Sequence, residues 1–205
     1  MPSAIPVVMA MTAQTSGAPA PLELFQRALD GFGARVHAVH PDQWHGATPC
    51  TEWDVRDLVG HLVGEAQWAA PLLEGATLEA AATRIPEDPA GADPVQAWDA
   101  AADAVRAELH EAGLLERTVH LSYGDVPAQR YVEELTCDLA VHSWDLARAA
   151  GLDERIDSQV VDAAWDYVTE HAVELTGSGL YGEPLDVPAD ADTQTRLLAA
   201  TGRRL

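Results

Sequence analysis

The sequence predicts an all-α protein, an up-and-down four-helix bundle with a short extra helix and loops. Several long segments carry apolar residues three and four positions apart, the spacing that gives a helix one buried face. Strand patterns are scarce, and the clearest stretch, residues 118–123, is short. Long amphipathic helices with so little strand pattern favour helix-on-helix packing around one core. A hydrophobic fraction of 47% in 205 residues is enough for that core.

The first helix is predicted over residues 22–39, from apolar residues at helical spacing. The second is predicted over residues 55–75. We expect Thr51 to cap it, with Asp54 three residues further on, because such side chains satisfy the free N–H groups of a first turn.

The remaining elements alternate between connections and helices. A proline-punctuated connection precedes the third helix, and a short strand or extended loop precedes the fourth. We place Pro127 in the first turn of the fourth helix, which ends at Gly151. The predicted ranges are 83–94 for the connection, 95–112 for the third helix, 127–150 for the fourth, 158–175 for the fifth and 193–200 for a short last helix.

We expect one domain over residues 21–205, preceded by a flexible leader over residues 1–20 in which Met1, Met9 and Met11 are alternative starts. The two cysteines do not form a disulfide framework, and the first residues lack the basic region of a signal peptide. A reduced, cytoplasmic protein is therefore expected.

The charge balance excludes some classes of partner. The chain has 33 acidic residues against 12 basic ones, for a net charge of -21. This charge repels phosphate backbones and anionic lipids, so we expect no nucleic-acid and no membrane partner. Its simplest consequence is solubility.

The main candidate for a functional site is a pair of residues four apart in the fourth helix, Asp138 and His142. Such residues lie one above the other on a single helix face. A second histidine on an apolar face, His61, lies in the second helix with Glu65 four residues on. Two readings remain open: hydrogen-bonded core histidines with a helix-supporting pair, or three ligands of one divalent metal ion.

The donor set fits the second interpretation. Imidazole suits Zn, Ni or Fe(II), and three protein ligands leave coordination positions for water or a substrate. Glu65 and Asp145 are candidates to orient the histidine rings, although a surface or helix-capping charge is the favoured interpretation of each.

Other signals carry less weight. The G-x-G-x-x-G spacing at Gly177, Gly179 and Gly182 lacks the strand–turn–helix context of a dinucleotide site. Packing or surface roles are favoured for the remaining candidate residues, which are Cys50, Cys137, His171, Trp53, Trp144 and Trp165.

Two stretches resemble a known family: T-P-C-T-E-W-D-V-R-D-L-V-G-H-L-V-G-E and D-L-A-V-H-S-W-D-L-A-R-A-A-G. They resemble the DinB-like superfamily, most of all its actinobacterial branch, the metal-binding domain of mycothiol-dependent maleylpyruvate isomerase and its short relatives. The ending D-T-Q-T-R-L-L-A-A-T-G-R is also similar to those relatives, so the resemblance extends from about residue 22 onward.

The resemblance implies a four-helix bundle that binds a divalent metal, most often zinc, through His61, Asp138 and His142. The isomerase has glutamate where this chain has Asp138, which is one methylene shorter. The isomerase also has a separate C-terminal domain, and the segment after the fourth predicted helix is too short to supply one.

We therefore expect a metal-dependent thiol S-transferase or isomerase-like enzyme, in which the metal activates a thiol or water and a low-molecular-weight thiol of the mycothiol type is co-substrate. Small-molecule electrophiles are the expected second partner, and a homodimer is possible for such bundles. The alternative is a non-catalytic module in which the metal only ties two helices together.

Overall fold

A computed structural model of the chain describes residues 19–175 and 179–205. The predicted leader lies outside these ranges except for its last two residues, and it stays a prediction. The described residues form mainly helices, which confirms the all-α class. The elements are α1 (Pro21–Ala38), α2 (Val55–Glu74), α3 (Leu78–Ala82), α4 (Pro94–Glu108), a 3-10 turn (Leu114–Glu116), β1 (Thr118–Leu121), β2 (Gly124–Pro127), α5 (Ala128–Ala150), α6 (Ser158–Glu170), α7 (Ala172–Leu175) and α8 (Thr193–Ala200).

Four long helices form the bundle. Helices α1 and α2 each pack against both α4 and α5, so the four close a ring around one core. Helix α6 lies against α5 and α1, and α8 lies against α6. At the centre, Phe32 of α1 meets Trp98 of α4 edge-on with ring centroids 4.7 Å apart, and both side chains are buried. The apolar faces predicted from helical spacing are the ones that form this core.

The start of α2 differs from the prediction, because Asp54 rather than Thr51 is the cap. The Asp54 carboxylate accepts a hydrogen bond from the Asp57 N–H (2.8 Å), and the Asp57 carboxylate accepts one from the Asp54 N–H (3.1 Å). Thr51 lies in the turn before, where the Trp53 N–H donates to the Cys50 carbonyl. In the sequence, Thr51 and Asp54 are each followed three residues later by an aspartate, as a capping box requires. The turn at Cys50 places Thr51 outside the helix and leaves Asp54 as the cap.

The segment before α5 is a two-stranded antiparallel hairpin rather than an isolated strand. Strand β1 pairs with β2, and Thr118 lies opposite Pro127. Gly124 takes a φ of 134°, which favours glycine at the turn. Pro127 is the last residue of β2 and the N-cap of α5. It was predicted inside the first turn, so the helix begins one residue later than expected, at Ala128.

Three further features of the helices differ from the prediction. The third predicted helix is α4, which ends four residues early at Glu108, and the short α3 was not predicted. The fifth predicted helix breaks at His171, whose non-helical backbone separates α6 from α7. Within the described ranges, no helix is both long and apolar enough to cross a membrane.

Candidate metal centre

The packing of α2 against α5 brings the three predicted ligands together. Asp138 Oδ2 lies 3.3 Å from His61 Nε2, and Asp138 Oδ1 lies 3.4 Å from His142 Nε2. One ligand atom from each residue falls within 4.8 Å of the other two. A single ion can bridge atoms at this spacing, so the site is geometrically competent for a metal.

One oxygen of Asp138 has an ion-pair partner but, within the described residues, no hydrogen bond. Asp138 Oδ2 is buried, and no described group makes a hydrogen bond to it. A buried carboxylate oxygen without a hydrogen bond is costly unless a cation neutralises it. The two imidazole nitrogens face the same carboxylate, and two imidazoles with one carboxylate suit Zn, Ni or Fe(II). The residues present therefore fit a divalent metal ion.

The charges of the metal-free site are strongly coupled. Burial opposes ionisation of Asp138, but His142 and His61 outweigh it and lower the pKa of the carboxyl well below its usual range. Burial likewise opposes protonation of His142, but Asp138 outweighs it and raises the pKa of the imidazole well above 6.5. Without a metal, Asp138 and His142 thus form a buried ion pair.

Asp145 fixes the orientation of His142. The carboxylate of Asp145, which is fully buried, forms an ion pair with His142 and lies 3.0 Å from its Nδ1. This negative charge favours a proton on Nδ1 and leaves Nε2 facing Asp138. A carboxylate behind a histidine ring is a common device for orienting metal ligands. The structure thus places Asp145 where the sequence analysis proposed a ring-orienting residue.

A second possible ligand set shares the same histidine. Cys50 Sγ, His142 Nδ1 and an Asp145 oxygen also lie within 4.8 Å of one another. The Arg203 guanidinium already lies among them, with Nη2 2.8 Å from Asp145 Oδ2 and 3.5 Å from Cys50 Sγ. Because a positive group occupies this side of the ring, the set with His61 and Asp138 is the better candidate.

The candidate centre opens into a cavity of about 1090 Å³. The Trp53 ring covers the two histidines, with centroid distances of 4.8 Å to His61 and 5.8 Å to His142. Glu65 and Glu134 line the same cavity, and burial raises the pKa of both carboxyl groups. The cavity is large enough for a small molecule and has both polar and apolar walls.

Three residues of this site were not expected from the sequence. Cys50 and Trp53, assigned to packing, line the cavity, and their position just before the helix of His61 was an available signal. Arg203 ends the stretch D-T-Q-T-R-L-L-A-A-T-G-R that is similar to the family, but its contact with Asp145, far away in the chain, had no local signal. His171 instead stacks on Tyr167, with ring centroids 4.5 Å apart, and stays out of the ligand set.

The described glycines of the G-x-G-x-x-G segment lie beside the candidate centre. Gly177 lies outside the described residues, while Gly179 and Gly182 line the cavity. Gly202 has a φ of 80°, and a Cβ placed there would lie 2.7 Å from Gly182. This close approach seats the segment that carries Arg203 against the cavity wall.

Comparisons with known proteins identify a family and two relatives. A family described as the mycothiol maleylpyruvate isomerase N-terminal domain matches residues 25–147. Two uncharacterized proteins from two strains of Mycobacterium tuberculosis are each 37% identical over 145 residues, covering 68% of this chain and 72% of theirs. No solved structure matches the chain.

Proposed function

The chain belongs to the mycothiol maleylpyruvate isomerase N-terminal domain family, a family of metal-binding domains related to mycothiol-dependent enzymes, and on that premise we propose a metal-dependent thiol S-transferase. Zinc is the proposed metal, held by His61, Asp138 and His142. The proposed co-substrate is a low-molecular-weight thiol of the mycothiol type. An electrophilic small molecule is the proposed acceptor.

The observation that carries this proposal is the buried Asp138 Oδ2, which lacks a hydrogen bond and faces an imidazole nitrogen beside a large cavity. A site with three protein ligands next to open space is typical of catalytic rather than structural metal centres. When bound, the metal ion supplies Lewis acidity that lowers the pKa of a thiol and makes sulfur nucleophilic at neutral pH.

The chain's own residues prepare the rest of the reaction. In the transfer, sulfur forms a bond to carbon of the electrophile, whose leaving group departs with the bonding electrons, and the thiol proton passes to a base. Glu65 and Glu134 line the cavity with pKa values raised by burial, so they exchange protons nearer neutrality than exposed carboxyls do. The Trp53 ring lies against both histidines and gives the cavity an apolar wall beside them.

The first test is metal content. We expect elemental mass spectrometry of untagged protein to find about one metal ion per chain, and His61→Ala and His142→Ala to lose it. His120→Ala is the matched control, because this exposed histidine pairs with Asp125 in the hairpin. A folded wild-type protein that stays metal-free after reconstitution would contradict the proposal.

The second test separates an enzyme from a non-catalytic module. Cobalt-substituted protein is titrated with N-acetylcysteine and mycothiol, and thioether formation is followed with a chromogenic aryl halide. We expect the thiols to perturb the cobalt spectrum and the aryl thioether to form only with loaded protein. Bound metal without either response would favour a module in which the ion only ties α2 to α5.

A further inference from the structure

A buried arginine lies on the side of His142 that faces away from the proposed metal. The Arg203 side chain is only 9% exposed. Its Nη2 donates to Asp145 Oδ2 at 2.8 Å and to Cys50 Sγ at 3.5 Å, and its Nε lies 3.3 Å from the same carboxylate. One guanidinium thus contacts two of the three atoms in the second ligand set.

Without Arg203, these atoms would make a competing metal site. Cys50 Sγ lies 4.0 Å from His142 Nδ1 and donates to Asp145 Oδ2 at 3.4 Å. A thiolate, an imidazole and a carboxylate form a softer donor set than two imidazoles and a carboxylate, and zinc and cobalt accept both. An ion bound there would use Nδ1 of His142 and take Asp145 away from its orienting role.

We infer that Arg203 is a positioning residue that decides on which side of His142 a metal binds. Its fixed positive charge substitutes for a metal between Asp145 and Cys50, and holds the Asp145 carboxylate 3.0 Å from His142 Nδ1. The ion is thereby directed to Nε2, with His61 and Asp138, where Trp53 and the cavity adjoin it. This inference rests on the proposed function for the identity of the first site.

The planar fork of arginine suits this position. A guanidinium donates to a carboxylate and to a neighbouring sulfur in one plane, and it stays charged at every relevant pH. Tyr181 supports it from another side, with the guanidinium carbon 5.8 Å from the centre of the ring. Lysine has the charge without the fork, so Arg203→Lys is expected to block the second site only in part.

The test uses cobalt without any added thiol. We expect wild-type protein to bind one cobalt ion with no thiolate-to-cobalt absorption, because Cys50 is not a ligand. In Arg203→Ala we expect this absorption to appear while cobalt content stays near one ion per chain, because the two ligand sets share His142 and compete for the ion. Adding Cys50→Ser to that variant should abolish the absorption, whereas Cys137→Ser should not.

The controls keep the result interpretable. Arg204→Ala removes the adjacent, exposed arginine and should leave the cobalt spectrum unchanged. Far-UV circular dichroism checks folding, and Arg203→Gln, which keeps part of the side chain, replaces Arg203→Ala if that variant does not fold.

The outcomes separate this inference from the proposed function. Thiolate absorption in the wild type, or none in a folded Arg203 variant, would overturn the inference. A wild type that binds no cobalt while Arg203→Ala binds one ion through Cys50 would support the blocking role of Arg203, overturn its directing role and refute the proposed function. One cobalt ion in both proteins without thiolate absorption would support the proposed metal site and overturn the inference about Arg203.

Discussion

The two ring nitrogens of His142 have different partners, and this asymmetry determines which nitrogen is available to a metal ion. Nδ1 lies 3.0 Å from the Asp145 carboxylate, while Nε2 faces Asp138. The side chain of His142 is only 6% exposed, so burial and the two carboxylates hold the ring in one orientation. A buried imidazole of fixed orientation is a prepared ligand rather than an adaptable one.

Asp145→Asn is expected to weaken metal affinity about 10- to 100-fold, because it removes the charge that orients and polarises His142. It also leaves Arg203 as an uncompensated buried charge, at a cost of about 3 kcal/mol in unfolding free energy. Competition with a chromogenic chelator measures the affinity, and urea unfolding measures the stability. Asp153→Asn is the control, since Asp153 is exposed and pairs with Arg155 in a loop. Equal affinities would show that Asp145 does not tune the ligand.

Metal affinity is expected to fall as the pH is lowered, beginning above pH 6.5. Asp138 raises the pKa of His142 despite burial, so a metal must displace a proton from this ring even near neutral pH. Below that pKa, each pH unit should reduce affinity about tenfold. Chelator competition from about pH 6 to 9 gives the profile, and calorimetry in two buffers counts the released protons. An affinity independent of pH would contradict this account.

The same pKa shifts define the stability of the metal-free protein. The lowered pKa of Asp138 gives a contribution that is present above the unfolded pKa and lost as pH falls through the folded one. The raised pKa of His142 gives a contribution that is present below pH 6.5 and lost as pH rises through the folded value. The ion pair therefore stabilises the metal-free fold at pH values between the folded-state pKa of Asp138 and that of His142. The metal-bound fold instead gains stability as the pH rises.

At the scale of single elements, the start of α2 matters because it fixes the helix that carries His61. Asp54→Ala is expected to lower the unfolding free energy by about 1 kcal/mol, since it removes one half of the capping box. Thr51→Ala should change the unfolding free energy by less than about 0.5 kcal/mol, because Thr51 is exposed and lies outside the helix. Thermal and urea unfolding of both variants measure the difference. A larger loss of stability in Thr51→Ala than in Asp54→Ala would show that Thr51 is the cap, as the sequence predicts.

A pair of glycines in α1 tests the packing against α4. A Cβ on Gly33 would lie 2.8 Å from Trp98 Nε1, so Gly33→Ala is expected to destabilise the protein by about 1–3 kcal/mol. A Cβ on Gly31 would meet only the flexible Arg35 side chain at 3.7 Å, so Gly31→Ala should gain up to about 1 kcal/mol from helix propensity. Chemical unfolding compares the two. Stabilisation by both would mean that Trp98 can move away.

The elements also show what sequence alone can predict here. Helical spacing located the long helices and, through Asp138 and His142, one face of the site, because both are local properties of one helix. Asp54 and Thr51 could not be separated, because the choice depends on the turn at Cys50. Arg203 lies in the ending that resembles the family, but its contact with Asp145 was unpredictable, since it joins residues 58 positions apart in the chain.

For the whole molecule, the proposed metal joins α2 to α5, which adjoin each other in the bundle ring. An ion held by His61 from one helix and by Asp138 and His142 from the other binds the folded chain and not the unfolded one. Binding then adds about 2.7 kcal/mol when free metal is 100 times the dissociation constant. For a chain of this length, that corresponds to a rise in melting temperature of about 5–10 °C.

We therefore expect added zinc to raise the melting temperature of the wild type, and a chelator to reverse the rise. His61→Ala should abolish the response, because it removes the ligand on α2 while leaving the Asp145–Arg203 pair behind His142 intact. His120→Ala should respond like the wild type. Differential scanning calorimetry at fixed pH distinguishes these cases. If His61→Ala kept the full zinc response, the ion would be held within α5 and its surroundings, and the bundle would not be joined by metal.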